Sequence, residues 1–245
     1  MGIYIGKQRY VYAIGDPHGD YISFNKLINI YDRNRHAEDI LITLGDYADR
    51  GPDSVRLVEI IYKLLKTRKD IIALLGNHER MAQNGYFNPY GNTIAADAER
   101  SKYRSWNAFT KAVFNGFLGK LYTAALVNNA LFVHGGISSR IKDRESLSNP
   151  FLEDDLLWSD PTCGLEECFN WRGLGFEFPE SVTEAVCKRL GVNIIVRSHE
   201  PRKASAGPFS EHSGRVLTLN GCSLYGQPAM VKIDTIELDH ETYYA

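Results

Sequence analysis

The chain has 245 residues, 44% of them hydrophobic and 24% charged, with a formal net charge of -2; this is the balance of a globular protein with its own core, and it excludes the electrostatic footprint of a nucleic-acid or membrane-surface binder. No apolar run nears the roughly 20 residues of a spanning helix. The opening MGIYIGKQRY has no signal-peptide core, and Gly6 stands where a myristoylation signal needs Ser or Thr, so the expected location is cytoplasmic and the expected organisation is one domain over 1–245.

In chain order, Arg9 to Ile14 predicts a strand ended by Gly15. Tyr21 to Tyr31 carries Phe24, Leu27, Ile28 and Tyr31 at helical spacing. A second strand is expected over Asp39 to Leu44, then a helix over Asp53 to Lys66 with Pro52 ahead of it. A third strand spans Asp70 to Leu75. Strand–helix alternation of this kind implies parallel βαβ units, whose ligands bind beyond the carboxyl ends of the strands. Gly85 to Ala95 reads as a surface loop and Ala96 to Leu118 as one helix. Leu121 to Val127 and Ala130 to Val133 read as strands turning at Asn128 and Asn129. Ile137 to Asn149 is expected to be loop. Pro179 to Leu190 predicts a helix and Asn193 to Val196 a strand. Glu200 to Gly214 is an exposed stretch, and Arg215 to Asn220 and Ala229 to Leu238 are late strands. Two sheets are expected, the later one more antiparallel. The four cysteines, Cys163, Cys168, Cys187 and Cys222, are read as free thiols, with a local Cys163–Cys168 disulfide or half of a metal site as the alternatives.

Three strands fire into polar loops of one grammar: VYAIGDPHGD, LITLGDYADRG and IIALLGNHER. Each is an apolar run, a Gly, then Asp or Asn; His follows closely in the first and third. With the two later strand ends they gather Asp16, His18, Asp46, Asn77, His134 and His199. Mixed carboxylate, amide and imidazole ligands suit manganese, iron or zinc, with manganese the first expectation. Asp16, His18 and Asp46 would hold one divalent ion; Asp46, Asn77, His134 and His199 would hold a second, with Asp46 bridging. Two ions roughly 3.5–4 Å apart clamp an in-line displacement at phosphorus and bring a water pKa from 15.7 towards about 7. His78, beside Asn77, is free to act as acid on the leaving alkoxide, oriented by Asp49. Arg50 and Arg172 offer planar forks for phosphate oxygens. Glu79 is expected to support the ligands. Asp160 either caps a turn or lines the cleft. Trp158 is expected in the core, and His36, His212 and His240 in structural roles.

GDPHG, GDYADRG, GNHE and HGG in this order resemble the signature of the metallophosphoesterase superfamily, in its phosphoprotein phosphatase branch. LLWSDP at 156–161, WRG at 171–173 and RSH at 197–199 extend the likeness to eukaryotic-type serine/threonine phosphatases. The resemblance implies an α/β fold, an α/β/β/α sandwich of two mixed sheets flanked by helices, and a dinuclear site of the ligands above. It also implies His78 and Asp49 as the acid pair, a phosphoryl grip by Arg50 and Arg172, and single displacement without a phosphoenzyme. Where those enzymes carry a Ser-Ala-Pro-Asn-Tyr-Cys loop, this chain has LNGCSLYGQPAM, and Tyr225 would stand in for the tyrosine near phosphate. Glu200 replaces the usual Gln after the last His. The short length fits a compact prokaryotic or archaeal-type member.

The expected activity is therefore metal-dependent hydrolysis of phosphoserine and phosphothreonine in protein or peptide substrates, with phosphotyrosine also admitted. Nucleic-acid and membrane partners are not expected. A competing enzyme reading is a dinucleoside polyphosphate hydrolase, whose base would need the aromatic cluster Tyr86, Phe87 and Tyr90. A third reading, a binding scaffold with a dead site, conflicts with the presence of every ligand candidate and His78.

Overall fold

The computed structural model describes residues 2–88 and 91–245; Tyr90 lies outside them. Strands β1 (Ile3–Gly6), β2 (Tyr10–Ile14), β3 (Ile40–Thr43), β4 (Ile71–Ala73), β5 (Ala124–Val127) and β6 (Ala130–Val133) come first. Then follow β7 (Asp160–Pro161), β8 (Cys168–Phe169), β9 (Phe176–Phe178), β10 (Ile194–Arg197), β11 (Phe209–Glu211), β12 (Val216–Thr218), β13 (Ala229–Asp234) and β14 (His240–Tyr244). One sheet runs β14-β13-β2-β3-β4 and a second β1-β5-β6-β10-β12-β11, with a small third sheet β7-β9-β8.

Strand periodicity explains the layering. Along β2, Val11 and Ala13 face the second sheet, whereas Tyr12 and Ile14 face helices. The inter-sheet core joins these residues to Ile40 and Ile42 and, from the other sheet, Ala125, Phe132, Val196 and Leu217. Both faces of the inner strands are covered, so these strands read as near-continuous apolar runs rather than alternating ones.

Helices α1 (Tyr21–Asn34) and α2 (Ser54–Thr67) cover the outer face of the first sheet. Helix α1 buries Phe24, Leu27, Ile28 and Tyr31, the stripe its spacing predicts, and Asp20 caps it by accepting the Ser23 N–H at 3.0 Å. Next come α3 (Asn77–Gln83), α4 (Ile94–Arg100), α5 (Trp106–Phe109) and α6 (Asn115–Leu118), the last two joined by a π-helical turn, Thr110–Phe114. Helices α7 (Glu153–Trp158) and α8 (Glu180–Leu190) pack on the second sheet. The architecture is the expected α/β sandwich of two mixed sheets flanked by helices.

Several local expectations need correction. The single helix over Ala96 to Leu118 is broken, because the Ser101 hydroxyl turns back to the Ala98 carbonyl, Arg104 takes a φ of +59°, and Ser105 caps a new start. Helix α4 begins inside the expected Gly85 to Ala95 loop, where Thr93 caps it and Ile94 is buried. Helix α3 is too short for periodicity to reveal. The expected loop over Ile137 to Asn149 contains a 3-10 turn, Glu145–Ser148. The second sheet is mixed, not chiefly antiparallel: β1–β5, β6–β10 and β10–β12 pair parallel, β5–β6 and β11–β12 antiparallel. Strands β1 and β14 are edges, and β14 shows no buried face for a pattern to report. All four cysteines are free, with Cys163 and Cys168 exposed.

Register positions the site. Ile14 pairs with Thr43, and Thr43 with Ala73, so three parallel strands end level at one rim. Phe132 pairs with Val196, which brings His134 and Ser198 level at the facing rim.

Candidate metal centre and active site

The two rims are tied together by the site residues themselves. His134 Nδ1 donates to the Leu44 carbonyl at 2.8 Å, crossing from one sheet to the other. His18 Nδ1 donates to the Ala48 carbonyl at 2.9 Å. Both bonds place the ring proton on Nδ1 and turn a lone pair on Nε2 inward.

Asp46 stands where those lone pairs meet. Its Oδ2 is 3.5 Å from His18 Nε2 and its Oδ1 is 3.4 Å from His134 Nε2. Two metal-competent groups share it: His18, Asp46 and His78, and Asp46, His134 and His199, each with ligand atoms within 4.8 Å of one another. His199 Nδ1 faces His134 Nε2 at 3.2 Å. Asp16 sits just behind, 4.0 Å from His18 Nε2, with both oxygens accepting the His199 backbone N–H at 3.1 and 2.9 Å. The close trio around His18 thus contains His78, and Asp16 backs it.

The donor set fits divalent cations. One end of the Asn77 amide lies 2.9 Å from His134 Nε2 and 3.2 Å from both Asp46 oxygens; its nitrogen would donate to them, and its oxygen would join them around a cation. Lone pairs converge there, and His18 Nε2 and His199 Nε2 are buried without hydrogen-bond partners. Buried acceptors facing acceptors are costly unless a donor or a cation stands among them. Burial lowers the His18 pKa to about 3, holding it as a neutral ligand, and pushes Asp16 up to about 6. Burial works against the charge of Asp46 too, yet four surrounding imidazoles hold its carboxyl below the usual range.

Local backbone geometry makes this convergence possible. His18, Asp46, Asp49, Arg50 and His199 all have positive φ, between 38° and 69°. Such conformations cost about 1–3 kcal/mol each and persist where the surroundings dictate them. Buried Glu79 is one such constraint: its carboxylate accepts the backbone N–H groups of Asp46, Tyr47, Ala48 and Gly76 at 2.8–3.1 Å. A Cβ on Gly76 would run into the Asp46 backbone nitrogen, so only glycine lets the two loops close.

His78 lies beside the cluster but is held differently. Its Nδ1 is 2.6 Å from Asp49 Oδ2, and Asp49 Oδ1 accepts the Ile94 N–H at 2.7 Å. Burial opposes the imidazolium, but the Asp46 and Asp49 carboxylates outweigh it and raise the His78 pKa. Arg50 Nη2 donates to His78 Nε2 at 3.1 Å, and its Nη1 donates to the Tyr225 hydroxyl at 2.7 Å. In this arrangement His78 Nε2 is an acceptor.

Arg172 is aimed from the other side. Its Nε donates to Asp160 Oδ2 at 2.9 Å, while Asp160 Oδ1 accepts from Arg197 Nη2 at 2.8 Å and Asn170 Nδ2 donates to Oδ2 at 2.9 Å. Burial would raise the Asp160 pKa, but Arg197, His199 and Arg172 hold it well below the usual range. Asp160 therefore steers the cleft arginine and is more than a turn cap. Arg50, Arg172, His199 and Tyr225 line one hollow of about 310 Å³.

Every candidate from the strand ends is thus brought to one place. Sequence reasoning missed Arg197, Asn170 and Asp20. Asp20 accepts from Ser223 N and Oγ at 2.8 and 2.5 Å and so fixes the turn that carries Tyr225. Asp20 was visible as the second acidic residue of GDPHGD, but its partner lies 203 residues away. Glu200 bonds Arg197 Nη1 at 2.6 Å. Trp158 is half-buried, edge-on to His199 at 5.7 Å. His36 and His240 are exposed, and His212 bonds Thr183 and the Thr162 carbonyl.

A model of the calcineurin-like phosphoesterase family matches residues 10–203. The serine/threonine-protein phosphatase PP1-delta of Caenorhabditis elegans is 29% identical over 207 residues, covering 78% of this chain and 63% of that protein. The chain spans 48% to 63% of the length of the first curated relatives it matches. A solved protein serine/threonine phosphatase of Saccharomyces cerevisiae, similar to human phosphatase PP5, superposes with a TM-score of 0.76 at 21% identity, covering 100% of this chain and 84% of that one. A cold-active protein-tyrosine phosphatase of a psychrophilic Shewanella gives a TM-score of 0.67 at 20% identity, covering 99% and 82%. At these identities the two structures speak to the fold alone. The family match and the shared Asp46 site together show that the chain is a phosphoesterase of the calcineurin-like metallophosphoesterase family, distantly related to its serine/threonine phosphatases.

Proposed function

We propose that this phosphoesterase is a metal-dependent phosphoprotein phosphatase acting on phosphoserine and phosphothreonine, and on phosphotyrosine where the cleft admits it. The observation that carries this reading is the open hollow that sets Arg50 and Arg172 beside the metal-competent cluster. Two guanidinium forks at one rim suit a phosphate monoester dianion carried on an extended chain. Relatives named as serine/threonine phosphatases support the same class.

Asp16, His18, Asp46, Asn77, His134 and His199 would hold two divalent ions, manganese first. Such ions supply positive charge against the phosphoryl oxygens and a water acidic enough to attack phosphorus. The chain's own residues do the rest. Arg50 and Arg172 orient the phosphoryl group in line. As Arg50 turns from His78 to the phosphate, Nε2 becomes free to carry a proton. His78 then delivers that proton to the departing alkoxide, and Asp49 stabilises the imidazolium in the ground state.

One feature favours a second reading, hydrolysis of a dinucleoside polyphosphate. Trp171 lines the hollow and is 79% exposed, a flat surface on which a base could stack. The aromatic loop expected to serve that role is less apt, because Phe87 packs edge-on against Trp106 at 5.4 Å.

The test is phosphate release with added Mn²⁺ on matched phosphoserine, phosphothreonine and phosphotyrosine peptides, beside a dinucleoside tetraphosphate and a chelator control. We expect chelator-sensitive turnover with peptide kcat/KM above the nucleotide's. A higher value for the nucleotide would overturn the proposal in favour of the second reading.

A further inference from the structure

The phosphate grip uses only part of its hollow. Beyond Arg50 and Arg172 the same space is walled by Trp171, Pro201, Arg202 and Lys203, none of which the chemistry needs. The charges there are unevenly satisfied. Glu200, the one carboxylate lining the hollow, is already engaged by Arg197 Nη1 at 2.6 Å and Lys203 Nζ at 3.1 Å. Lys203 is engaged in turn by Glu211 at 3.0 Å. Arg202 is exposed and has no ion-pair partner among the described residues. The outer hollow therefore carries an uncompensated guanidinium.

Its surroundings favour pairing of that charge. Pro201 is buried, and the Lys203 N–H closes a turn onto the Glu200 carbonyl at 3.0 Å, so Arg202 projects from a fixed backbone. The Trp171 indole, which lines the same hollow, lies 5.0 Å from the Arg172 guanidinium. A side chain entering the hollow exchanges water for an aromatic wall and a cation, and lower water content strengthens a charge pair.

We propose that this outer hollow is a subsite for an acidic residue of the substrate polypeptide, one or two positions from the phosphoresidue. Along an extended chain those positions lie about 3.3–7 Å from the phosphoresidue, within one hollow of this size. The inference rests on the phosphoprotein phosphatase reading and deepens it: substrates are phosphopeptides with an acidic flank.

The test uses the Mn²⁺-loaded full chain with three phosphothreonine peptides that differ only in Glu, Ala or Lys at the flanking positions. The expected order of kcat/KM is Glu over Ala over Lys, with about three- to tenfold per step, the worth of one charge-assisted contact. Arg202→Ala should flatten that order and Arg202→Glu should reverse it. Hydrolysis of 4-nitrophenyl phosphate, which has no flank, should be unchanged in both. Equal rates on all three peptides, or an acidic preference that survives Arg202→Glu, would overturn the subsite and leave the phosphatase reading standing. Hydrolysis of 4-nitrophenyl phosphate with no turnover of any peptide would overturn both.

Discussion

His18 and His78 have ring centroids 4.9 Å apart, and both are buried, yet they are driven toward opposite protonation states. His18 is pushed down to about 3, whereas the pKa of His78 is raised. Burial opposes charge on both rings and Asp46 favours it on both; what His78 has in addition lies at Nδ1. His18 meets a neutral backbone carbonyl, Ala48, and His78 meets the carboxylate of Asp49. A carbonyl fixes the tautomer without favouring charge; a carboxylate fixes it and stabilises the imidazolium. Two identical side chains in one cluster are thereby biased apart, one toward the neutral form a ligand needs and the other toward the charged form an acid needs.

The sharpest way to break this sorting is to remove the residue both halves share. Asp46→Asn deletes the charge that belongs to each metal-competent group. Phosphomonoesterase activity should fall to the assay floor, and elemental analysis should show reduced metal content; full activity with two ions retained would refute the bridging role.

His78→Asn attacks the acid half alone. On an alkyl phosphate, kcat should drop by about 10²–10⁴, the usual worth of a positioned acid, with metal content unchanged. An aryl phosphate should suffer less, because its leaving group needs less protonation. An unaltered rate on the alkyl substrate would rule out His78 as the acid.

Asp49→Asn tests the cause of the sorting more finely. It keeps a side-chain oxygen for the Ile94 N–H but removes the charge facing His78. The sign follows from the raised pKa. An acid must be protonated, so activity on alkyl phosphates declines as pH rises through the His78 pKa. Losing Asp49's charge lowers that pKa, so the alkaline limb of the kcat profile should begin at lower pH. A limb that stays in place would assign it to another group.

Legibility differs between the halves of the molecule. The first three loops could be read because each parallel strand is an apolar run stopped by glycine, and the level register at Ile14, Thr43 and Ala73 turns similar motifs into neighbours. Helix α1 was readable by its stripe. The π turn after Phe109 was not, since it leaves the apolar spacing almost intact. Strand β14 escaped because an edge with no buried face has no alternation. Asp160 illustrates the harder case. Its carboxylate steers Arg172 and meets buried Arg197, 37 positions away, and nothing near 160 in the chain announces either contact.

The sequence by itself determined which residue types reach the site, because strand ends and their polar loops are local features set by pattern and glycine. It also determined the family, through motifs dense enough to be unmistakable. Asp49 behind His78 was legible in the sequence; only the tertiary structure decided that His18 and His134 face backbone carbonyls instead. It alone showed that Glu79 gathers four backbone N–H groups beneath the Asp46 loop, and that Arg202, with no ion-pair partner among the described residues, lines one hollow with Arg50 and Arg172. Hydrogen-bond partners and local charge depend on distances between residues far apart in the chain, and those distances exist only once the two sheets have packed.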